Sequence, residues 1–221
     1  MRVTRQEYIK ELEALQHQVV LMGDAAAAAV KKAMQAFMGE DKRLAQQVME
    51  QDDIIDDMIV DVEDRCILLI AKQQPIARDL RVIATGFKIS TDLERIGDHA
   101  FDIAKATAAL DLEALQFKYT PQLAQCAVEM VEGAIKAYEG SDIQLAESIC
   151  RRDDEMDELF GKTFLELSNL VTNEADKARQ ITQLLFIARF LERIGDHATN
   201  IAEWVIYLET AERIRKVRTK A

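Results

Sequence analysis

Proline and glycine are scarce, at 2 and 8 of 221 residues. A chain with so few helix breakers has few places to end a helix, so it reads as all-α with long helices. Aromatics make up 6% against 49% hydrophobic residues, which leaves Leu, Ile, Val, Ala and Met to fill the core. Cationic side chains are in deficit: 28 Lys and Arg face 39 Asp and Glu, a net charge of -11. A general nucleic-acid binder needs cations to neutralise phosphates, so that class is set aside. The one basic concentration is Arg213, Arg215, Lys216, Arg218 and Lys220 near the C-terminus. It reads as a helix end whose cations meet the negative pole of the macrodipole, or else as a contact for an acidic partner.

The three cysteines, Cys66, Cys126 and Cys150, are odd in number and form no C-x-x-C. That argues against a disulfide framework or a zinc ribbon and for buried thiols in a reducing compartment. Long apolar runs are missing too. Ala25 to Val30 stops at Lys31 and Lys32, short of the ~20 residues a membrane span needs. Arg2, Arg5 and Glu7 follow Met1 with no apolar stretch of a signal peptide behind them. A cytoplasmic location is expected.

What is present is a repeat. Glu-Arg-Ile-Gly-Asp-His-Ala runs from Glu94 to Ala100 and again from Glu192 to Ala198. Ala33 to Gly39 resembles Ala134 to Gly140, Leu44-Ala45 matches Leu145-Ala146, and Asp52-Asp53 matches Asp153-Asp154. The chain is therefore a duplication, with units at 1–112 and 118–221. The separation shortens between the acidic blocks and the heptapeptides, which places a small deletion opposite the loop holding Gln73-Gln74-Pro75.

Each unit reads as three helices. The first half has helices over about Thr4 to Met38, Asp41 to Lys72 and Ile76 to Leu110, with Gly39 as a C-cap and Pro75 beyond the second. In the second half Thr120-Pro121 opens a helix that ends at Gly140, Ser141 caps the next, which fades near Asn173, and a last helix fills the rest. Leu93, Ile96, Ala100 and Ile103 step by three, four and three, as do Leu191, Ile194, Ala198 and Ile201. Such seams on long helices predict antiparallel bundles. The expectation is two sequence-related three-helix bundles in tandem, placed end to end.

The carboxylates carry the functional signal. Glu94, Asp98 and Asp102 repeat every four residues, as do Glu192, Asp196 and Asn200. Asp52 and Asp56 precede the first series, and Asp153 and Asp157 the second. On a helix this spacing puts the pairs on one face, a turn apart. Stacked like charges destabilise a helix by a few tenths of a kcal/mol per pair (roughly) unless cations cover them. Rows of hard oxygens on adjacent helices could hold Mg²⁺, Ca²⁺, Mn²⁺ or iron; the plainer reading is a solvated acidic face. Gly97 and Gly195, mid-helix, suggest close packing beside the acids, or a small gap in the core. His99 and His197 lie about 100° round the helix from the Asp and miss the i,i+3 spacing of a ferritin-like site. Helix packing or a surface hydrogen bond is their expected role. No phosphate-binding glycine loop, H-E-x-x-H or G-x-S-x-G occurs.

With its two Glu-Arg-Ile-Gly-Asp motifs, its Asp52/Asp56 and Asp153/Asp157 segments and the stretch Ala71 to Arg81, the chain resembles the PhoU family over nearly its full length. The resemblance implies two similar three-helix bundles in a cytoplasmic, often homodimeric, non-enzymatic negative regulator of phosphate uptake. It implies partners in the ATPase subunit of the phosphate ABC transporter and the phosphate-sensing histidine kinase, with the membrane met only through them. It also implies metal ions (iron, zinc, manganese or magnesium) on Asp52, Asp56, Glu94 and Asp98, and on Asp153, Asp157, Glu192 and Asp196. Asp102 continues the first series. Asn200 departs from a third carboxylate and implies a weaker second site, or one with fewer ions. The alternatives are a carboxylate-bridged metalloenzyme, and a metal-free adaptor whose acidic faces dock basic partners.

Overall fold

The structure, a computed structural model, describes residues 5–72, 75–110, 118–173 and 177–213. Every regular element among them is helical: α1 (Arg5–Met38), α2 (Lys42–Glu50), α3 (Asp53–Lys72), α4 (Ala77–Ala108), α5 (Thr120–Gly140), α6 (Ile143–Asn173) and α7 (Ala178–Thr210). The basic cluster beyond Arg213, and Gln73 and Gln74, lie outside the described residues.

The all-α expectation and the apolar seams hold. Leu93, Ile96, Ala100 and Ile103 are fully buried, as are Leu191, Ile194, Ala198 and Ile201. In α1 the buried Leu12, Leu15, Val19, Met22 and Ala26 step by three and four, one stripe of a helix facing the core. Cys66 and Cys126 are buried as expected, while Cys150 is only half-buried.

Gly39 follows the last residue of α1 as expected, and two helix-start assignments need correction. Gly39 is not the left-handed residue; Glu40 is, at φ 52°, and Asp41 N–H reaches back to Ala36 O at 2.9 Å. The second half repeats this, with Ser141 at φ 49° and Asp142 N–H on Ala137 O at 2.9 Å. Ser141 therefore does not cap α6. The Asp142 carboxylate does, accepting from Leu145 N–H at 3.0 Å, as Asp41 accepts from Arg43 and Leu44 N–H in α2. Nor does Thr120 cap α5. Glu166, from α6, accepts from Lys118 and Tyr119 N–H at 2.9 and 3.2 Å and so places its charge at the positive end of α5.

The second helix of the first half is not continuous. It breaks at Gln51-Asp52, where Gln51 N–H bonds Val48 O and Ile54 N–H bonds Gln51 O, both at 3.2 Å over three residues. The break puts Asp53 and Asp56 in the first turn of α3, where the macrodipole favours them. An unbroken helix would hold them mid-helix, as α6 holds Asp153 and Asp157.

The halves do not sit end to end. They lie side by side, with α4 antiparallel to α7. Arg78 near the start of α4 binds both oxygens of Glu209 near the end of α7, at 3.1 and 3.2 Å. Arg81 Nε donates to Leu208 O at 3.2 Å, satisfying a carbonyl of the last turn of α7. Lys31 of α1 pairs with Glu132 of α5. One hydrophobic core runs through both halves. The reason shows in α4, which buries Ser90, His99, Ala104 and Thr107 besides its apolar seam, whereas α3 buries only Ile55, Val62, Cys66 and Leu69. A helix buried on several sides belongs at the centre. Thus α1, α4, α5 and α7 form the middle, α2 and α3 lie against α1 and α4, and α6 lies against α5 and α7.

Tyr138 is 2% exposed and its hydroxyl has no hydrogen-bond partner. An unsatisfied buried hydroxyl costs about 1–3 kcal/mol of desolvation. Tyr138→Phe is therefore expected to raise the unfolding free energy by roughly 1 kcal/mol, read from the urea midpoint; a loss of stability would mean the hydroxyl is satisfied.

Candidate metal centre

The acidic rows come together helix by helix. Asp52, at the break before α3, and Asp56, in its first turn, face Glu94, Asp98 and Asp102 on α4. Burial raises the Asp52 carboxyl to about 6, with Asp56, Asp98, Asp53 and Asp102 adding to the rise. Burial likewise raises Glu94, helped by Asp98, Asp56 and Asp52 and opposed by Arg95. Asp102 is raised by burial, with Lys105 opposing and Asp98 adding. Upward shifts with mutual carboxylate causes are what convergence predicts.

The second row, from α6 and α7, is similar but better compensated. Burial raises Glu192, with Asp196 and Asp157 adding and Arg189 opposing. Its Oε1 accepts from Arg189 Nη1 at 2.7 Å, while its Oε2 is buried with no partner. Asp153 accepts from Thr199 Oγ1 at 3.1 Å. Asn200 turns out of the row: its Nδ2 donates to Asp92 of the first half at 3.2 Å.

Gly97 and Gly195 let the acidic helices approach. A Cβ on Gly97 would stand 2.9 Å from Ile55 Cδ1, and one on Gly195 2.9 Å from Met156 Cε. Ile55 lies between Asp52 and Asp56, and Met156 between Asp153 and Asp157. Each motif glycine thus seats the side chain that holds an acidic pair against Glu/Asp of the neighbouring helix.

Arginines supply the present countercharge. Arg95 binds Glu94 at 3.3 Å and Asp98 at 2.9 Å. Among the described residues no three His, Cys, Asp or Glu side chains are gathered in a ready-made ion cage. The donor set is still that of a hard cation: carboxylate oxygens, half-buried at Asp52, Glu94, Asp98, Asp102, Asp153 and Glu192 and exposed at Asp56, Asp157 and Asp196, with one orphaned oxygen on Glu192.

The two motif histidines meet at the α4–α7 seam. The buried His99 ring stacks on Phe190 with centroids 5.6 Å apart and lies 5.8 Å from the His197 ring. Burial first, then His197 and Arg193, lower it to about 4, so it is neutral at pH 7. His197 Nδ1 hydrogen-bonds Asp92 Oδ1 at 2.8 Å. Packing and a hydrogen bond, the two expected roles, are divided between them. Asp92 and Phe190 occupy equivalent places two residues before the motifs, so one duplicated contact has become polar in one half and aromatic in the other. Asp92 was not singled out by the sequence, because its partner lies 105 residues away. An open cleft of about 800 Å³ runs from this seam to the first acidic row, lined among others by Asp52, Asp98, Asp102, Arg193 and His197.

A duplicated helical bundle with paired carboxylate rows is the class that fold and site define. The family model of the PhoU domain matches twice, over residues 19–107 and 120–205. The chain belongs to the PhoU family. It is 40% identical over 215 residues to a phosphate-specific transport system accessory protein PhoU homolog of Clostridium acetobutylicum, covering 96% of this chain and 98% of the other. A Rhizobium meliloti homolog of the same description is 35% identical, over 96% and 90%. Its fold matches the crystal structure of the phosphate transport system regulatory protein PhoU from Streptococcus pneumoniae at TM-score 0.89 and 28% identity, covering 94% and 99%. PhoU from Pseudomonas aeruginosa matches at TM-score 0.89 and 33% identity, over 93% and 100%. No helix among the described residues is long and apolar enough to cross a membrane.

Two outcomes are expected. Gly97→Leu should cost about 1–3 kcal/mol in urea unfolding, because the added side chain has no room against Ile55; an unchanged midpoint would show that α3 is not held at that distance. The second concerns pH in the metal-free protein. Asp52 titrates near 6 folded and near the ordinary carboxylate range unfolded, so the folded state binds the extra proton between these values. Its contribution to stability is present at low pH and lost as pH rises through about 6. His99, lowered to about 4, contributes with the opposite sign over a similar range, so the comparison must be with a variant. Asp52→Asn should gain melting temperature relative to the parent as pH rises from 4 to 7 in chelator; a constant difference would count against a charged Asp52 in this cluster.

Proposed function

We propose that the chain is a metal-binding, non-enzymatic adaptor of phosphate homeostasis. It acts in the cytoplasm as a homodimer, joins the ATPase subunit of the phosphate ABC transporter to the phosphate-sensing histidine kinase, and represses the starvation response when phosphate is plentiful. Family membership supports the phosphate role, since its relatives are named accessory or regulatory proteins of phosphate transport. The observation that carries the metal clause is the pair of equivalent rows in which burial and neighbouring carboxylates push Asp52, Glu94 and Glu192 upward.

Asp52, Asp56, Glu94, Asp98 and Asp102 would hold ions in the first half, and Asp153, Asp157, Glu192 and Asp196 in the second. Iron, zinc, manganese or magnesium would supply positive charge there. The protein's part is to keep the oxygens together: Gly97 and Gly195 set the helix separation, and Arg95 and Arg189, which now pair with these carboxylates, would have to release them for an ion to be held. Asn200 favours a poorer second site, because a neutral amide stands where the first half has the Asp102 carboxylate, and its side chain turns to Asp92.

The test is elemental analysis after dialysis against a weak chelator, comparing the parent with Glu94→Ala/Asp98→Ala/Glu192→Ala/Asp196→Ala. The parent should retain metal and the folded variant should not. Metal retained equally by both removes the rows as the binding site. Unchanged phosphate-regulated uptake and expression on deleting the gene would remove the regulatory reading.

A further inference from the structure

The outer face of α3 mixes exposed aliphatic and acidic side chains. Val60, Ile67 and Leu68 are 56%, 58% and 49% exposed. Asp57, Asp61 and Asp64, also exposed, are interleaved with them at spacings of three and four residues, so apolar and acidic groups share one stripe of the helix. This stripe points away from Asp52 and the α4 row, because Ile55, Val62, Cys66 and Leu69 mark the buried side. The cations of α3 do not cover it: Arg65 and Lys72 both turn to Glu11 of α1, at 3.1 and 3.8 Å. The matching stretch of α6 differs. Lys162 stands where α3 has Asp61, and it pairs with Glu158 at 2.6 Å.

Charge decides what can cover this face. A second copy laid stripe to stripe would set carboxylates against carboxylates, in a chain of net charge -11. Anionic lipid and nucleic acid are repelled for the same reason. The groups that match are aliphatic side chains alternating with Lys or Arg at helical spacing, which bury the aliphatics and neutralise the acids together. We infer that the outer face of α3 (Val60, Ile67 and Leu68 among Asp57, Asp61 and Asp64) docks a cationic amphipathic helix of a partner protein. This deepens the adaptor reading and rests on it, but not on its metal clause.

The test uses the full chain and a fluorescein-labelled amphipathic helical peptide of leucine and lysine, with a leucine–glutamate peptide as control, followed by anisotropy. The lysine peptide should bind saturably. Binding should weaken about tenfold or more in Val60→Ser/Ile67→Ser/Leu68→Ser and, independently, in Asp57→Lys/Asp61→Lys/Asp64→Lys. It should be unchanged in Phe164→Ser/Leu165→Ser on α6 and in Asp52→Ala/Glu94→Ala. All these positions but Asp52 and Glu94 are exposed, and circular dichroism checks that each variant is folded. Equal binding of the glutamate peptide, or no effect of either α3 variant, overturns the inference. So does loss of binding in Asp52→Ala/Glu94→Ala, which would place the peptide on the carboxylate rows. A dimer in sedimentation velocity that dissociates in the serine variant assigns the face to a second copy, and phosphatidylglycerol vesicles bound through the same residues assign it to a membrane; either result overturns it.

Discussion

The antiparallel packing of α4 on α7 is the constraint on which the rest of the molecule depends. Each of these helices packs against its own half and against the other half, and its Leu-Ile-Ala-Ile seam is fully buried. That leaves only the sides toward α3 and α6 for the carboxylates. The glycine of each motif then decides how near α3 and α6 can come, and so how strongly the acids feel one another. Removing the seam contacts would free α4 to turn, and the acidic rows would lose their alignment with Asp52 and Asp56. The ties at Arg78–Glu209 and Asp92–His197 fix the register of that packing at separate points along α4.

Duplication explains the similarity of the halves, and local chemistry explains their divergence. In the second half, Arg152 of α6 bridges Glu129 and Glu155, and Arg151 pairs with Glu147. In the first half, the acid run has no such cations on its own helix; it relies on the broken helix, which turns Asp53 and Asp56 into first-turn residues. Both halves use an arginine on the motif helix, Arg95 and Arg189, and the first adds a macrodipole at the start of α3 where the second adds ion pairs along α6. The solution in the first half leaves the outer acids of α3 uncovered.

Much of this was legible in the sequence because the signals are local and periodic. The repeat, the helix class and the buried seams all come from residues within a few turns of each other, and so does the expectation that the glycines bring helices close. The side-by-side arrangement was not legible, because the residues α4 buries beyond its seam, Ser90, His99, Ala104 and Thr107, are spread round the helix and register as no apolar period. The break at Gln51-Asp52 was missed because the apolar spacing continues through it, and only the crowding of like charges marks the place. Asp92 was missed because its role exists only across the seam. The carboxylate rows were legible as rows, but not their compensation: Arg189 lies outside the repeated heptapeptide.

The surviving asymmetry bears on function. A cluster of half-buried carboxylates lowers the stability of any fold that holds it, and a fold under selection for stability alone would replace one or two by neutral residues. The second half moves in that direction at Asn200, and at Lys162 on its outer face. The first half does not: it keeps Asp102 in the row and Asp61 on the outside of α3. On the function proposed above, the acids of the first half would be completed by something positive, an ion on the inner row and basic side chains on the outer stripe. Both would act on α3 and its entry, the inner row at Asp52 and Asp56 and the outer stripe from Asp57 to Leu68.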